Sequence, residues 1–185
     1  MTTRDPVITT EEFEAFIARE EQHERRFELI NGEIVEKTMP TEEHGAIAAL
    51  TLTRFVTYFE MHPVAGRVVA EGLYRPSGDK RNARMPDIGV VLGDRPLTTQ
   101  GTADFIPDIC IEILSPGDRL KQAREKMQFY LAHGAKFALL LRPRRRVVEL
   151  YPADGDYEFL TAEDTLTFGD LLPGFAVPVA RLFPA

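Results

Sequence analysis

The sequence has one cysteine, Cys110, and no tryptophan among 185 residues. A single cysteine excludes an internal disulfide, and because Cys110 lies in an apolar run we expect it to pack in the core, in a reducing, cytoplasmic setting. No run approaches the roughly 18 apolar residues of a membrane span. Residues 1–6 carry no apolar signal region, so we expect neither a membrane partner nor secretion.

Close metal-ligand spacing of the zinc type is also missing. The four histidines do not stand in the short repeats of common zinc motifs, and one cysteine cannot complete such a set. They are His23, His44, His62 and His133. There is no internal repeat and no low-complexity linker. A length of 185 residues with 44% hydrophobic side chains predicts one domain over residues 1–185 with a sizeable core.

Basic residues are fewer than acidic ones, and the net charge is −7. This balance argues mildly against a general nucleic-acid binder. The distribution is uneven, however. Residues 1–45 hold twelve acids and five bases, whereas residues 119–146 hold nine bases and one acid. A local positive field of this kind suits phosphate attraction. The alternative is a solvated helix face followed by a basic turn.

The stretch from Pro107 to Pro116 predicts a central β-strand. It is almost entirely apolar on both faces, which is typical of a strand covered on both sides in an α/β sheet. Glu112 lies inside this run, and a buried carboxylate is costly unless it is paired or bound to a metal. Ser115, Pro116 and Gly117 then end the strand. Glu112 is therefore either a site residue or a structural carboxylate bonded to backbone amides.

A second predicted strand, from Met85 to Leu92, carries Asp87 at its start, 25 positions before Glu112. If the two strands pair, Asp87 and Glu112 converge. Two convergent carboxylates suit a hard divalent cation such as Mg²⁺. Because like charges held together repel, we also expect that removing one acid stabilises the metal-free protein.

Capping signals predict three helices. Thr9 with Glu12 forms a capping box for a helix to about Glu20. Thr41 is the expected N-cap of a helix to about His62. The third helix is expected to have Asp118 as its N-cap, Gly134 beyond its end, and a core stripe of Leu120, Ala123, Met127, Tyr130 and Leu131. Lys126 flanks this stripe, where its ammonium can reach back to the strand ends.

The remaining signals are strands. Asn31-Gly32 predicts a type I′ hairpin over residues 27–35, with Glu28 and Glu33 beside the turn. Either acid is a solvent-facing strand residue or a site candidate. Further strands are predicted at 68–73, 137–141 and 146–151, the last as an edge strand. The order predicts the α/β class, with a mixed α+β sheet flanked by helices.

Several motifs occur together in a characteristic order. They are Glu28-Leu29-Ile30-Asn31-Gly32-Glu33, Met39-Pro40 with His44, Pro86-Asp87, Glu112-Ile113-Leu114-Ser115-Pro116, Lys126 with Tyr130, and Leu172-Pro173-Gly174-Phe175. From about residue 9 to 183, the chain resembles the Uma-type family of putative restriction endonucleases, formerly a domain of unknown function, in the PD-(D/E)xK nuclease superfamily. The resemblance implies a restriction-endonuclease-like core with an N-terminal helix and β-hairpin additions.

The resemblance implies a Mg²⁺- or Mn²⁺-dependent endonuclease that hydrolyses DNA phosphodiester bonds and forms a homodimer. Asp87 and Glu112 match the two acids of the superfamily motif and, with the carbonyl of Ile113, are the implied metal ligands. The lysine usual two positions after the second acid is replaced by Leu114. Its counterpart maps to Lys126.

Other implied site residues rank lower. Gln122, one turn before Lys126, can assist it, and Glu28 and His44 are candidates for a further metal contact or for leaving-group protonation. The chain departs from the family at Ala138, where tryptophan is common, and at Arg142, where aspartate is common. Two rival functions stay open: a non-catalytic binding protein with a nuclease fold, and a metal-dependent hydrolase of another phosphoester.

Overall fold

A computed structural model of the chain describes residues 7–22 and 24–185. Their contacts form two compact units. The first takes the described residues of 7–39 with 73–85 and 97–106, and the second takes Pro40–Gly72, Pro86–Pro96 and Pro107–Ala185. The single-domain expectation stays a prediction. Two sequence-based expectations concern positions outside the described residues. They are the lack of a signal region at residues 1–6 and the lack of zinc-type spacing around His23.

The first unit contains helix α1 (Thr10–Ile17) and the hairpin of β1 (Phe27–Ile30) and β2 (Glu33–Glu36). The predicted capping box is confirmed, because Thr9 and Glu12 bond each other's backbone amides. The helix ends at Ile17 rather than near Glu20, since Arg19 to Arg26 contain no apolar side chain to bury. The predicted type I′ turn is also confirmed, with Asn31 at φ 52° and Gly32 at φ 85°.

The second unit is built on a mixed six-stranded sheet. Its strands lie side by side in chain order: β3 (Gly66–Ala70), β4 (Ile88–Leu92), β5 (Ile109–Ile113), β6 (Phe137–Arg142), β7 (Val147–Pro152) and β8 (Glu158–Leu160). All neighbours are antiparallel except β5 and β6, which are parallel and are joined through helix α3 (Leu120–Ala132). The predicted fold class, a mixed sheet with flanking helices, is confirmed.

Each face of this sheet packs against other elements of the second unit. Helix α2 (Glu42–Met61) and the C-terminal segment cover one face, where Ile109, Ile111 and Ile113 of β5 join the main core. The C-terminal segment includes the short pair β9 (Thr165–Leu166) and β10 (Val177–Pro178). Helix α3 covers the opposite face. Every residue of β5 is buried, so the predicted central strand is confirmed, and Cys110 packs in it.

Two local predictions, at the start of α3 and at β7, were wrong. The N-cap of α3 is Arg119, without a side-chain cap, because the carboxylate of Asp118 accepts a hydrogen bond from the amide of Ser115 instead. Strand β7 is not at the edge of the described sheet, since β8 pairs along its outer side. A three-residue strand is too short to show a period of two, which is why the sequence did not reveal β8.

Strand β3 ends at Ala70 rather than 73, because Glu71 adopts a left-handed backbone conformation with φ 53°. In α3 only Met127 and Tyr130 of the predicted stripe are buried. Within the described residues, no helix combines the length and apolar character needed to cross a membrane.

Candidate active site

Asp87 lies immediately before β4, and Glu112 lies on β5, the neighbour of β4 in the sheet. The antiparallel register pairs Ile88, which follows Asp87, with Ile111, which precedes Glu112. The acids, separated by 25 positions in sequence, are thus brought to adjoining ends of two paired strands.

The carboxylate of Asp87 is held by two groups. The residue is 5% exposed, and its Oδ2 accepts a hydrogen bond of 2.8 Å from the amide of Ile113. The same oxygen lies 3.1 Å from Nε2 of His44. His44 reaches this position from the first turn of α2, whose N-cap is Thr41, as predicted. The structure therefore places His44 beside Asp87, within the second unit.

The carboxylate of Glu112 is held from the opposite side by α3. Glu112 is 8% exposed, and its Oε1 accepts hydrogen bonds from the hydroxyl of Tyr130 at 2.7 Å and from Nζ of Lys126 at 2.8 Å. Lys126 and Tyr130 are four residues apart, so they project from one side of the helix. Lys126 thus reaches the end of β5, where the sequence predicted its ammonium to lie.

The other candidate positions have the following surroundings. Gln122 is exposed on α3, and Leu114 is half-buried with its amide bonded to the carbonyl of Leu141. Glu28 belongs to the first unit, where it is buried rather than solvent-facing: its Oε1 accepts a hydrogen bond from the amide of Met85. Roles for Gln122 and Glu28 stay predictions.

Sequence reasoning identified His44 and Lys126 as site candidates but gave no site role to Tyr130. It placed Tyr130 in the core stripe and in a motif with Lys126, and the spacing of four residues was a signal that both reach the same strand. The acid Glu149 on β7 was not identified at all, yet it is fully buried.

Burial, followed by the nearby charge of Glu112, raises the pKa of the Cys110 thiol, which keeps this cysteine neutral and favours packing over reaction.

Asp87 and Glu112 fit a hard divalent cation by their chemistry. Mg²⁺ is usually bound by one or two carboxylates together with waters and substrate phosphates, and this pair has the carboxylates that such a site requires. The amide of Ile113 is bonded to Asp87; its carbonyl as a ligand stays a prediction. In the described part of the chain, no group of three or more His, Cys, Asp or Glu side chains is arranged to hold a metal ion.

The basic segment of residues 119–146 is not one exposed surface. Lys126 bonds Glu112, and Arg124 and Arg142 both bond Glu149. Arg144 and Arg145 are exposed, whereas Arg142 is largely buried. Lys126 and Arg124 of α3 are thus paired with acids on β5 and β7, and Lys121 is exposed and pairs with Glu125.

Comparisons with known proteins agree with this architecture. The model of the Uma2 family, described as putative restriction endonuclease, matches residues 10–180. Among solved structures, the chain is similar to a putative nuclease belonging to DUF820 from Anabaena variabilis ATCC 29413, with a TM-score of 0.80 and 24% identity over 95% of this chain and 97% of that chain. This likeness shows a shared fold. No curated protein matches the chain. Because the family model matches most of its length, the protein belongs to the Uma2 family of putative restriction endonucleases.

Proposed function

We propose that the protein is a metal-dependent endonuclease that hydrolyses phosphodiester bonds of DNA at Asp87, Glu112 and Lys126. Family membership supports a nuclease. The observation on which the proposal depends is the arrangement of these three side chains. Two buried acids lie at adjoining ends of β4 and β5, Asp87 directly before β4 and Glu112 on β5, and a lysine ammonium lies 2.8 Å from Glu112. Carboxylates for a cation and a nearby positive charge are the groups that phosphodiester hydrolysis needs.

The two carboxylates are preorganised for this role. Asp87 is oriented by the Ile113 amide and by His44, whereas Glu112 is oriented by Tyr130 and Lys126. Partners of this kind fix ligand geometry, and their loss typically costs about 10–100-fold in metal affinity or activity. A bound Mg²⁺ or Mn²⁺ would supply a water of lowered pKa and neutralise charge on the phosphate.

Lys126 acts on the transition state in this proposal. Its ammonium is largely buried, so its charge is less screened than on the surface. It stabilises the negative charge that develops on the phosphate oxygens and orients the attacking water. Gln122 assists from one turn earlier. His44, which lies on Asp87, acts first by orienting that carboxylate, and a role in leaving-group protonation is secondary.

DNA is the proposed substrate because exposed positive charge accompanies the acidic pair. Arg119, Arg144 and Arg145 are exposed around the ends of α3 and β6, and such charges attract a phosphate backbone. A homodimer is part of the proposal, since two copies of the site would serve the two strands of a duplex.

The test is cleavage of supercoiled plasmid by purified protein. We expect nicking or cutting with Mg²⁺ or Mn²⁺, and none with EDTA. Asp87→Asn and Glu112→Gln, which preserve shape and remove charge, should each abolish cleavage. Glu125→Gln is the matched control, because Glu125 is an exposed acid on α3 that pairs only with Lys121 among its described ion-pair partners. Cleavage that persists in Asp87→Asn would show that another site or a contaminant carries it.

A non-catalytic DNA-binding protein is the second candidate. Its supporting observation is that Asp87 and Glu112 each already have protein hydrogen-bond partners, as a purely structural carboxylate requires. The same preparation separates the two functions. Retention of duplex DNA with no cleavage under any of the divalent cations Mg²⁺, Mn²⁺ and Ca²⁺ would favour binding alone.

A further inference from the structure

A further acid, Glu149, lies in the same row of the sheet as Glu112 of the proposed catalytic pair. The register pairs Glu112 of β5 with Leu140 of β6, and Leu140 with Glu149 of β7. Glu112 and Glu149 therefore lie at one level, on the face covered by α3, two strands apart. Adjacent strands are about 4.8 Å apart, so the two backbones are separated by about 10 Å.

Glu149 is fully buried and accepts hydrogen bonds from three side chains. Arg124 binds it with two donors, Nε at 2.9 Å and Nη2 at 2.8 Å, in the bidentate geometry typical of arginine and carboxylate. Nη1 of Arg142 donates at 2.8 Å, and the hydroxyl of Tyr151 donates to the other oxygen. Burial alone raises the pKa of Glu149, but these donors outweigh it and leave the pKa lowered, so the residue stays ionised.

The cluster carries more positive charge than Glu149 neutralises, because two guanidinium groups face one carboxylate. The Nε atom of Arg142 is buried without a hydrogen-bond partner among the described residues. Arg124 is different, since 45% of its side chain is exposed. Its bonds to Glu149 use two of the five N–H donors of an arginine. The guanidinium is thus fixed in direction while part of it faces solvent.

Arg124 and Lys126 project from opposite flanks of α3. Successive helical residues are rotated by about 100°, and these two residues reach Glu149 and Glu112 respectively. The fixed guanidinium therefore lies beside the proposed cleavage site, not at it. A DNA duplex has one phosphate per about 3.4 Å of axis on each strand, so a strand bound at Glu112 has further phosphates within about 10 Å.

We propose that Glu149 is a positioning residue that holds Arg124 as a phosphate-binding side chain for a DNA strand next to the bond that is cut. The proposal rests on the proposed function for its substrate. Arg124 contacts a phosphate neighbouring the scissile one, and Glu149, together with Arg142 and Tyr151, prevents the guanidinium from turning into solvent. The ion pair thereby sets how the strand lies across the row of acids.

The test is duplex binding in EDTA, which stops cleavage, measured by fluorescence anisotropy over a range of KCl concentrations. Arg124→Ala should weaken binding and reduce the slope of log K against log salt by about 0.9, the value for one lost phosphate contact. Lys121→Ala is the matched control: it removes an equal charge from a highly exposed position on α3. It should leave the slope nearly unchanged.

Glu149→Gln should change DNA affinity in opposite directions depending on whether Glu149 acts through its charge alone or by positioning Arg124. The substitution makes the protein more positive, so general electrostatic attraction would tighten DNA binding. Loss of the support for Arg124 should instead weaken it, and under cleavage conditions should raise KM several-fold with kcat nearly unchanged. Circular dichroism establishes whether the variant is folded. If it is not, Arg124→Ala against Lys121→Ala decides the matter.

The outcomes separate this inference from the proposed function. Wild-type protein that neither binds nor cuts DNA overturns both. Wild-type protein that binds and cuts, with Arg124→Ala indistinguishable from Lys121→Ala, overturns the role of Arg124 alone. Tighter binding by folded Glu149→Gln overturns the positioning role of Glu149.

Discussion

Oδ2 of Asp87 accepts a hydrogen bond of 2.8 Å from the amide of Ile113, the residue that follows Glu112. The side chain of the first acid is thereby tied to the backbone of the strand that carries the second. Because that backbone is buried and part of a central strand, the carboxylate of Asp87 is held against the strand that carries Glu112. In the proposed function, this hydrogen bond presets the position of one cation ligand.

Divalent cations should stabilise the wild-type protein but not its acid variants. A ligand that binds only the folded state raises stability by RT ln(1 + [L]/Kd), about 2.7 kcal/mol at one hundred times Kd. We expect Mg²⁺ or Mn²⁺ to raise the Tm of the wild-type protein and of Glu125→Gln, and to leave Asp87→Asn and Glu112→Gln unchanged. Differential scanning calorimetry measures this without any DNA. Equal shifts in all four proteins would place the cation elsewhere.

Removing Asp87 should destabilise the metal-free protein. From sequence, repulsion between the acids suggested the opposite. That expectation reverses because Asp87 is paired with His44 and Glu112 with Lys126. Asp87→Ala leaves the amide of Ile113 buried without this acceptor, at a cost of about 1–3 kcal/mol. Urea unfolding in EDTA measures the difference, and a variant as stable as the wild type would contradict the pairing.

Lys126→Ala should reduce turnover more than DNA binding. A charge that acts on the transition state contributes to kcat, and loss of one such donor typically costs about 10²–10³-fold. Single-turnover cleavage gives the rate of the chemical step, and fluorescence anisotropy on the same duplex gives the DNA affinity. Lys121→Ala, at an exposed position, is the control for charge. An equal loss in affinity and rate would instead make Lys126 a binding residue.

Tyr130→Phe should weaken the metal site without changing its shape. The substitution removes only the hydroxyl that donates to Glu112, inside a fully buried position. Loss of an outer partner of a ligand typically costs about 10–100-fold in metal affinity. A titration of cleavage rate against Mg²⁺ should shift to higher concentration and recover at saturation. A rate that stays low at saturating Mg²⁺ would assign the hydroxyl to the chemical step.

Stability should fall in acid through Glu149. Its pKa is lowered in the folded protein, so its contribution is full above the unfolded value of about 4.3 and is lost as pH falls through the folded pKa. Glu149→Gln should cost about 3–5 kcal/mol at pH 7, because it leaves buried arginine charge unpaired. The difference from wild type, measured by urea unfolding, should shrink below about pH 4. A constant difference across this range would exclude linkage through Glu149.

Local sequence was sufficient where a structure depends on neighbours in the chain. The capping box of Thr9 and Glu12 and the turn at Asn31-Gly32 involve residues within a few positions of each other, and both formed as predicted. Asp118 shows the limit of this reasoning. Its carboxylate can accept a hydrogen bond either from an amide in the first turn of α3 or from the amide of Ser115 in the preceding turn. In the structure it accepts the bond from Ser115.

The sequence by itself determined the apolar strand around Glu112, the position of Asp87 at a strand start, and the place of Lys126 on the flank of α3. These follow from periods of 2 and 3.6, which are properties of short segments. Only the tertiary structure decided that His44 lies on Asp87, 43 positions away, and that Glu149 shares the row of Glu112. The physical reason is that strand order and register bring distant residues together, and pairing between β5, β6 and β7 depends on packing of the whole sheet and not on any one segment.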